Sequence, residues 1–166
     1  MESFVYPTTY LRHQDCEQGR VLYETWYPNA HYAWDAGVAI GGYLQGLKAG
    51  RLLARHCPEC DRILIPPRMF CESCFSHTDR WVELEDTGTV ITFSICYITW
   101  DMLRLKEPQI PAVIGIDGAS RGMGIMHLLG EVDPGTVHIG MRVQAVWKPP
   151  AERVGAITDI AYFKPL

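Results

Sequence analysis

Short runs of extended-backbone formers, separated by turn residues, fill the second half of the chain. The runs are rich in Val, Ile, Thr, Phe and Tyr, and Asp, Gly and Pro stand between them. They cover residues 81–84, 88–100, 112–117, 124–132, 141–148 and 156–163. Five or so strands at this spacing, with little helix between them, predict a small antiparallel barrel or sandwich.

A helical period precedes these runs. Ile40, Tyr43, Leu44 and Leu47 recur at spacings of three and four, which predicts a helix from about residue 38 to residue 54. Four glycines interrupt this segment: Gly41, Gly42, Gly46 and Gly50. Each glycine costs up to about 1 kcal/mol relative to alanine in a helix, so two short helices fit equally well. Small residues also let another backbone approach closely, which makes the segment a candidate contact face.

The first 35 residues have no clear period but are rich in Tyr and Trp. Disordered segments are poor in aromatic residues, so this arm is expected to pack on its own domain or on a partner. Aromatic side chains are also enriched in the cores of protein interfaces. Tyr27, Tyr32 and Trp34 of the arm, together with Tyr43 of the helix, are candidates for a partner interface. Core packing is the alternative for each of them.

Composition narrows the classes of function. The chain has 166 residues, 48% of them hydrophobic, and a formal net charge of −4. A protein that holds nucleic acid by its phosphates usually carries a basic excess, so nucleic-acid binding is disfavoured. The N-terminus lacks the basic start and apolar run of a signal peptide, and residues 36–44 are too few to span a bilayer. These features predict a cytoplasmic protein without a membrane segment.

Four cysteines are spaced as a metal site. Cys57 and Cys60 form one Cys-x-x-Cys pair, and Cys71 and Cys74 form another after a gap of ten residues. Zinc prefers four tetrahedral ligands, and four thiolates leave no open position for catalysis, so a structural zinc site is predicted. Iron accepts the same four sulfurs and remains an alternative. Disulfides suit neither the spacing nor the compartment.

The gap between the two pairs predicts a short hairpin. Residues 62–65 lead out, Pro66 and Pro67 bend the chain, and residues 69–70 lead back. A ribbon of about 25 residues cannot bury enough surface to fold alone, so the metal is expected to supply the missing free energy.

The cysteines belong to a wider pattern that covers about residues 37–165. Its parts are Gly46-Leu47-Lys48-Ala49-Gly50, Pro66-Pro67-Arg68, Trp81, Gly88-Thr89-Val90, Pro111-Ala112-Val113, Gly130-Glu131-Val132 and Ile139-Gly140-Met141-Arg142-Val143. The chain thereby resembles the zinc-ribbon and OB-fold proteins that accompany thiolase-fold enzymes acting on acyl-CoA thioesters. It departs from the commonest ribbon pattern at Asp61 and Phe75, where a glycine often follows each second cysteine. The knuckle turns are therefore expected to differ in detail.

The resemblance implies a mainly β protein with a small helical part. Its expected pieces are an aromatic N-terminal arm (residues 1–36), a helical segment (37–54), a rubredoxin-like zinc ribbon (55–80) and a C-terminal five-stranded OB-fold barrel (81–166). Family members are non-catalytic accessory subunits that bind a thiolase-fold partner and help complete its acyl-CoA site. A hetero-oligomer, two copies of each subunit, is the corresponding expectation. The acyl group and the direction of the thiolase reaction stay open.

A CoA thioester would need cations for its phosphates and a flat apolar surface for its adenine. Arg104 and Lys106 follow Trp100 on what reads as a long loop, and Arg68 lies in the ribbon hairpin. These four residues are the candidates for contact with CoA, and ordinary surface solubility is the alternative.

Two other functions are alternatives to the accessory subunit: a module that binds nucleic acid and an independent enzyme. OB barrels with zinc ribbons can bind single-stranded nucleic acid through stacked aromatics, here Phe93, Tyr97 and Trp100, although the acidic balance opposes this. An independent enzyme would need a nucleophile or an open metal. Ser120 matches a nucleophile elbow in letters, but strand patterns on both sides of it predict a hairpin loop.

Overall fold

The computed structural model describes residues 12–24, 26–99 and 101–166. The chain divides into two compact units between Trp34 and Asp35. In the first unit, a short helix α1 (His13–Glu17) precedes an ion pair between Arg20 and Asp15, whose side chains approach to 2.6 Å. The residues that follow, where described, have no regular secondary structure.

The second unit contains one long helix, α2 (Gly37–Ala49), followed by strands. The strands are β1 (Leu52–Cys57), β2 (Arg62–Leu64), β3 (Trp81–Leu84), β4 (Thr87–Phe93), β5 (Cys96–Ile98), β6 (Arg104–Ile116), β7 (Ile125–Leu129), β8 (Arg142–Trp147) and β9 (Ile160–Pro165). Within the described residues, neither helix has the length and apolar character needed to cross a membrane.

Helix α2 ends five residues before the predicted position. Gly50 takes a left-handed conformation with φ of 76°, and the N–H of Arg51 donates to the carbonyl of Gly46 at 2.9 Å. Glycine reaches this conformation without strain, so it ends the helix and turns the chain into β1. The periodicity did not reveal this end, because Leu52 and Leu53 continue an apolar pattern that a buried strand also satisfies.

Two glycines of α2 let the helix lie directly on the three-stranded sheet. A Cβ atom at Gly42 would stand 2.4 Å from the Trp81 ring, and one at Gly46 would stand 2.8 Å from Leu53. The predicted contact face is therefore used within the chain itself. The helix leaves Val38 and Ile40 exposed near its start, and Gln45, Lys48 and Ala49 exposed further along.

The ribbon sheet has the order β2-β1-β3, with both pairings antiparallel. Strand β2 pairs back onto β1, for example Cys57 with Arg62, so the hairpin turns at the first cysteine pair. The predicted hairpin between residues 62–65 and 69–70 was wrong in its pairing. Phe70 bridges to His77 instead. Pro66 and Pro67 interrupt the extended backbone between these segments. The partner of β2 is instead β1 (Leu52–Cys57), a strand that the prediction did not include.

The last five long strands close into a barrel. The order is β4-β8-β9-β7-β6, and a further pairing of β4 with β6 closes the circle. All neighbours are antiparallel except β7 and β9, which are parallel. This five-stranded closed barrel is an OB-fold, so the predicted fold class is confirmed. The core inside the barrel is continuous with buried residues of α2 and of the ribbon. The largest fully buried side chains include Phe163, Ile114, Ile160, Val90, Val143, Leu47 and Leu52.

Strand β6 extends beyond the barrel. Its second half alternates buried and half-buried residues and pairs with β4 and β7, whereas its first half pairs with β5 alone. Arg104 and Lys106 therefore lie on a strand, not on the predicted loop. The sequence concealed this strand because neither face of the hairpin is buried, so no apolar alternation marks it.

Candidate metal centre

The two cysteine pairs meet at one point of the ribbon. Each of the four residues offers a sulfur, and the four sulfurs lie within 4.8 Å of one another. The sulfurs of Cys57 and Cys74 are 3.5 Å apart. A tetrahedral zinc ion with Zn–S bonds of about 2.3 Å spaces its sulfurs by about 3.8 Å, so the donor set fits zinc. Cys57 and Cys71 are fully buried, while Cys60 and Cys74 are more exposed.

Each second cysteine is followed by a residue in the left-handed region. Asp61 has φ of 51° and Phe75 has φ of 59°. The turns thus take the conformation that glycine would allow, at a cost of roughly 1–2 kcal/mol for each residue. Part of this cost is offset at Asp61, whose carboxylate lies 2.8 Å from Nε2 of His56. The expectation that the knuckles would differ because glycine is missing was therefore wrong for the backbone conformation.

Backbone N–H groups prepare the second cysteine pair for a cation. Hydrogen bonds from the backbone and hydroxyl of Ser76 lower the pKa of the Cys74 thiol to about 6. Backbone N–H groups of Ser73 and Cys74 also lower the pKa of Cys71. Burial instead raises the pKa of Cys57, and hydrogen bonding with Cys74 together with burial raises that of Cys60 to about 12. Metal binding therefore releases the protons that the thiols still carry, that of Cys60 among them.

An arginine ties the two halves of the ribbon together beside the sulfurs. The Nη1 atom of Arg62 donates to Oε1 of Glu72 and to the hydroxyl of Ser73, each at 2.5 Å. Arg68 pairs with the other oxygen of Glu72 at 3.2 Å. These contacts fix the turn between Cys71 and Cys74 against the start of β2.

His56 is not available as a metal ligand. Its Nδ1 lies 2.8 Å from a carboxylate oxygen of Asp79, and its Nε2 is at the same distance from Asp61. The two carboxylates raise the pKa of His56, because they favour the charged imidazolium. The ring therefore holds Asp79, which follows the second cysteine pair, against β1.

The buried Arg55 performs a similar task one residue earlier. Its Nε donates to the Thr78 hydroxyl at 2.9 Å, its Nη2 donates to the Thr78 carbonyl at 2.6 Å, and its guanidinium lies over the Trp81 ring at 5.0 Å. A charge this far from solvent needs such partners. Sequence reasoning missed this residue, since a charged side chain next to a histidine does not indicate a buried strand.

The turn after β6 joins the ribbon to the barrel. The N–H of Ile63 donates to the Ser120 hydroxyl at 2.8 Å, and the N–H of Ser120 donates back to the Ile63 carbonyl at 3.0 Å. Ser120 thus lies on a hairpin turn, as predicted, and its hydroxyl has a structural partner. This arrangement does not match a nucleophile elbow.

The CoA candidates are separated by the structure. Arg68 stands in the ribbon beside Glu72, whereas Arg104 and Lys106 lie on β6 with both side chains exposed. Trp100 lies outside the described residues. Of the aromatics considered for nucleic acid, Phe93 packs against the barrel core and Tyr97 is exposed. Arg68 thus lies on a different element from the other two cations, and the assignment of all four residues to CoA stays a prediction.

The candidates for the partner interface differ in how exposed they are. Tyr27, Tyr32 and Trp34 are all at least 80% exposed. Tyr43 is only 5% exposed and packs in the core cluster, which is the alternative given for it above. Helical spacing alone did not distinguish a core aromatic from an interface aromatic, because it does not show whether the side chain points inward or outward.

Comparison with known proteins places these features in a family context. The model of the ChsH2 rubredoxin-like zinc ribbon domain matches residues 44–80, and that of the ChsH2 C-terminal OB-fold domain matches residues 81–148. A DUF35 domain-containing scaffold protein of Methanocaldococcus jannaschii is 30% identical over 118 residues, which cover 69% of this chain and 82% of the relative. With four clustered cysteines, the zinc-ribbon match supports a structural zinc ion.

Two solved structures are similar. A protein of unknown function from the DUF35 family of Sulfolobus solfataricus has 26% identity and a TM-score of 0.57, covering 66% of this chain and 78% of its own. The Ltp2-ChsH2(DUF35) aldolase has 20% identity and a TM-score of 0.55, covering 84% of this chain and 98% of its own. At this identity the second likeness concerns the fold alone.

Proposed function

Because the chain belongs to the DUF35 family, with a ChsH2-type zinc ribbon and OB-fold, we propose that it is a non-catalytic accessory subunit of a thiolase-fold enzyme. It docks on that enzyme in a hetero-oligomer, two copies of each, and helps form the site for the acyl-CoA thioester. The enzyme performs the thiolytic cleavage or Claisen condensation. A relative described as a scaffold protein and a fold shared with an aldolase complex support a partner of this kind.

The observation that carries the proposal is the exposed aromatic arm. Between Leu22 and Trp34, large apolar side chains are well exposed: Leu22, Tyr23, Trp26, Tyr27, Tyr32 and Trp34. Exposed apolar groups in such density are unusual on a monomer and typical of a surface that a partner covers. Tyr27, Tyr32 and Trp34 are the anchors we assign to the interface.

The zinc ion serves the fold in this proposal. Cys57, Cys60, Cys71 and Cys74 would fill its coordination shell, which leaves no position for a substrate. When bound, the ion supplies stability to the ribbon and no chemistry. The reduced thiols that such a site needs are maintained in the cytoplasm, where we place the protein.

Arg104 and Lys106 are the residues we assign to the CoA phosphates. The two residues are two apart on β6, about 7 Å along the strand, and both are exposed, so the two cations are close enough to meet one pyrophosphate. No carboxylate among the described residues forms an ion pair with either. Arg68 suits this task less well, because Glu72 already balances its charge.

Co-purification from the native cells tests the accessory role. A tagged chain is expected to capture a thiolase-fold enzyme at fixed stoichiometry, and the CoA-thioester activity of that enzyme should fall when this chain is removed. Changing Tyr27, Tyr32 and Trp34 together to Ala should abolish the capture. Ile139→Ala, at an exposed position of the barrel, is the matched control and should leave the capture unchanged. Recovery of the chain alone, or with nucleic acid that dissociates as salt is raised, would contradict the proposal.

The CoA assignment has its own test on the complex. Arg104→Ala with Lys106→Ala should weaken CoA-thioester affinity about tenfold or more, because two charge-assisted contacts are lost. Arg121→Ala, which removes an exposed cation from a barrel turn, is the control. Equal affinity of the double variant and the wild type would remove both residues from the site while leaving the accessory role intact.

A further inference from the structure

Strand β7 has one edge that the barrel leaves partly open. Strand β6 pairs with β7 from Ile125 to Leu129, but β9 meets it only at Leu129 opposite Phe163. The N–H of Gly130 donates to the Phe163 carbonyl at 2.9 Å, which fixes the direction of the peptide groups. Since these alternate along a strand, the N–H and C=O of Met126 face away from β6, toward the gap.

An apolar groove runs along this open edge. One cavity of about 430 Å³ lies between Met126–Leu128 and residues 157–161, and its lining is mostly apolar. A second cavity of about 310 Å³ shares Met126 and Ile157 with the first and continues past Ile40 of α2 to Pro66 of the ribbon. Together they form an elongated groove of the size that binding sites in proteins have.

His127 shows how far the open edge reaches. The N–H of Leu128 donates to Nδ1 of His127 at 2.9 Å, and Nε2 of the same ring lies 3.2 Å from the carbonyl of Ile157. A hydrogen on Nε2 and a lone pair on Nδ1 satisfy both contacts, so the imidazole fills the place of a strand opposite Leu128. The peptide group of Met126, whose side chain is 72% exposed, has no such substitute among the described residues.

The groove has one charged wall and one unsatisfied polar group. Lys148 is the charged residue among those that line the two cavities, and it stands at the end next to His127. Tyr43 lines the other end, and its buried hydroxyl has no hydrogen-bond partner among the described residues. Burial raises the pKa of Tyr43 to about 12, so this hydroxyl remains a donor at neutral pH.

We propose that an extended segment of the enzyme partner binds in this groove and adds a strand beside Met126 of β7. The inference rests on the proposed function, whose partner it names. Strand addition supplies backbone hydrogen bonds, and the apolar walls receive alternate side chains. The segment is mostly apolar and carries an acidic residue that meets Lys148. Residues 157–161 form the wall of the first cavity opposite β7, so the occupant that we assign is a single extended chain lying between the two walls.

Two substitutions at one position test the backbone pairing. Met126 does not bond β6, so Met126→Pro removes the N–H that faces the groove and no hydrogen bond of the barrel, while Met126→Ala shortens the side chain and keeps that N–H. In titrations with the co-purified enzyme, the proline variant should bind about tenfold more weakly and the alanine variant should change less. Equal binding of the proline variant and the wild type, at unchanged zinc content and melting temperature, would overturn the proposal.

Photo-crosslinking keeps the proposal testable if the proline variant folds poorly. A benzophenone amino acid at position 126 should crosslink to one peptide of the enzyme, and the same group at the exposed Ile91 of β4 should not. A crosslink from position 91 alone, or from position 126 to a second copy of this chain, would overturn the assignment. If the wild-type chain captures no enzyme, the proposed function fails with it; if capture is normal and position 126 is silent, only this inference fails.

Discussion

The ribbon and the barrel are parts of one compact unit, yet they are stabilised differently. The cluster that belongs to the ribbon alone consists of Cys57, Leu64 and Cys71, so two of its three buried residues are metal-site cysteines. The barrel closes around a continuous cluster of branched aliphatic side chains and Phe163, to which Leu52, Ala54 and Ile65 of the ribbon also belong. The hydrophobic effect can stabilise the barrel without help, whereas the end of the ribbon that carries the cysteines lacks the apolar surface to do so. Stability in the ribbon should therefore follow the metal, and stability in the barrel should not.

The largest expected effect comes from removing one sulfur. Cys57→Ala should lower the zinc content from about one ion per chain to near zero and unfold the ribbon, since metal binding free energy is folding free energy at such sites. Metal analysis and amide hydrogen exchange check this. Protection should disappear in β1 and β2 and persist in β6, β8 and β9, and partner capture should weaken.

Cys96→Ala is the control for this change, because Cys96 lies outside the cysteine cluster. Loss of protection in the barrel as well would break the comparison, and would mean that ribbon and barrel unfold as one cooperative unit. A wild-type chain that contains iron would revise the metal and leave the geometric argument unchanged.

The opposite change is made inside the barrel. Phe163 is fully buried, so Phe163→Ala should lower the free energy of unfolding by about 3–5 kcal/mol, as measured by urea denaturation. Zinc content should stay near one ion per chain under conditions where the variant is folded. Loss of zinc from the folded variant would show that the ribbon depends on the barrel as much as on its metal.

The junction between the two regions is addressed by Ser120→Ala. This change removes the hydroxyl that accepts from the Ile63 N–H and should cost about 1 kcal/mol. Ser94→Ala, at an exposed position, serves as the reference. If the metal stabilises the barrel through this contact, the effect of Ser120→Ala should vanish in the Cys57→Ala background. A constant effect in both backgrounds would separate the two regions further.

The smallest effect concerns the acid stability of the barrel. Arg142 donates to both carboxylate oxygens of Asp117 and joins β8 to the end of β6, which lowers the pKa of Asp117 to about 2 from its ordinary 3.8. A depressed folded-state pKa contributes stability above the ordinary value and loses it as pH falls toward 2. Asp117→Asn should therefore cost about 1 kcal/mol at pH 7, after allowance for solvent screening, and only a small fraction of that near pH 2.

Chemical denaturation at a series of pH values measures this dependence. Asp133→Asn is a useful reference, since Asp133 accepts from the N–H of Gly135 and, in the part of the chain that the structure describes, forms no ion pair with an arginine. A cost for Asp117→Asn that is the same at pH 7 and pH 2 would show that the ion pair does not stabilise the barrel.

The sequence predicted the parts of the structure that depend on local signals along the chain. Cysteine spacing located the four sulfurs, and turn residues between β-rich runs located most barrel strands. The sequence failed where burial was decided by distant residues. Arg55 and His56 lie in a buried central strand only because Thr78, Asp79 and Trp81 return to meet them. Tyr43 faces inward because glycines bring its helix onto the ribbon, and the hairpin of Arg104 has no apolar face to signal it.

Strand β6 connects features that are far apart in the molecule. One end continues into the turn that Ile63 holds, and the other end carries Arg104 and Lys106 beyond the barrel. Of its 13 residues, those from Ile110 to Ile116 are held in the barrel between β4 and β7, and those from Arg104 to Gln109, about 20 Å long, pair with β5 alone. A tilt of about 5° where the strand leaves the barrel would displace its outer end by roughly 2 Å over that length. A change at the barrel edge would thus move the two cations without touching either of them.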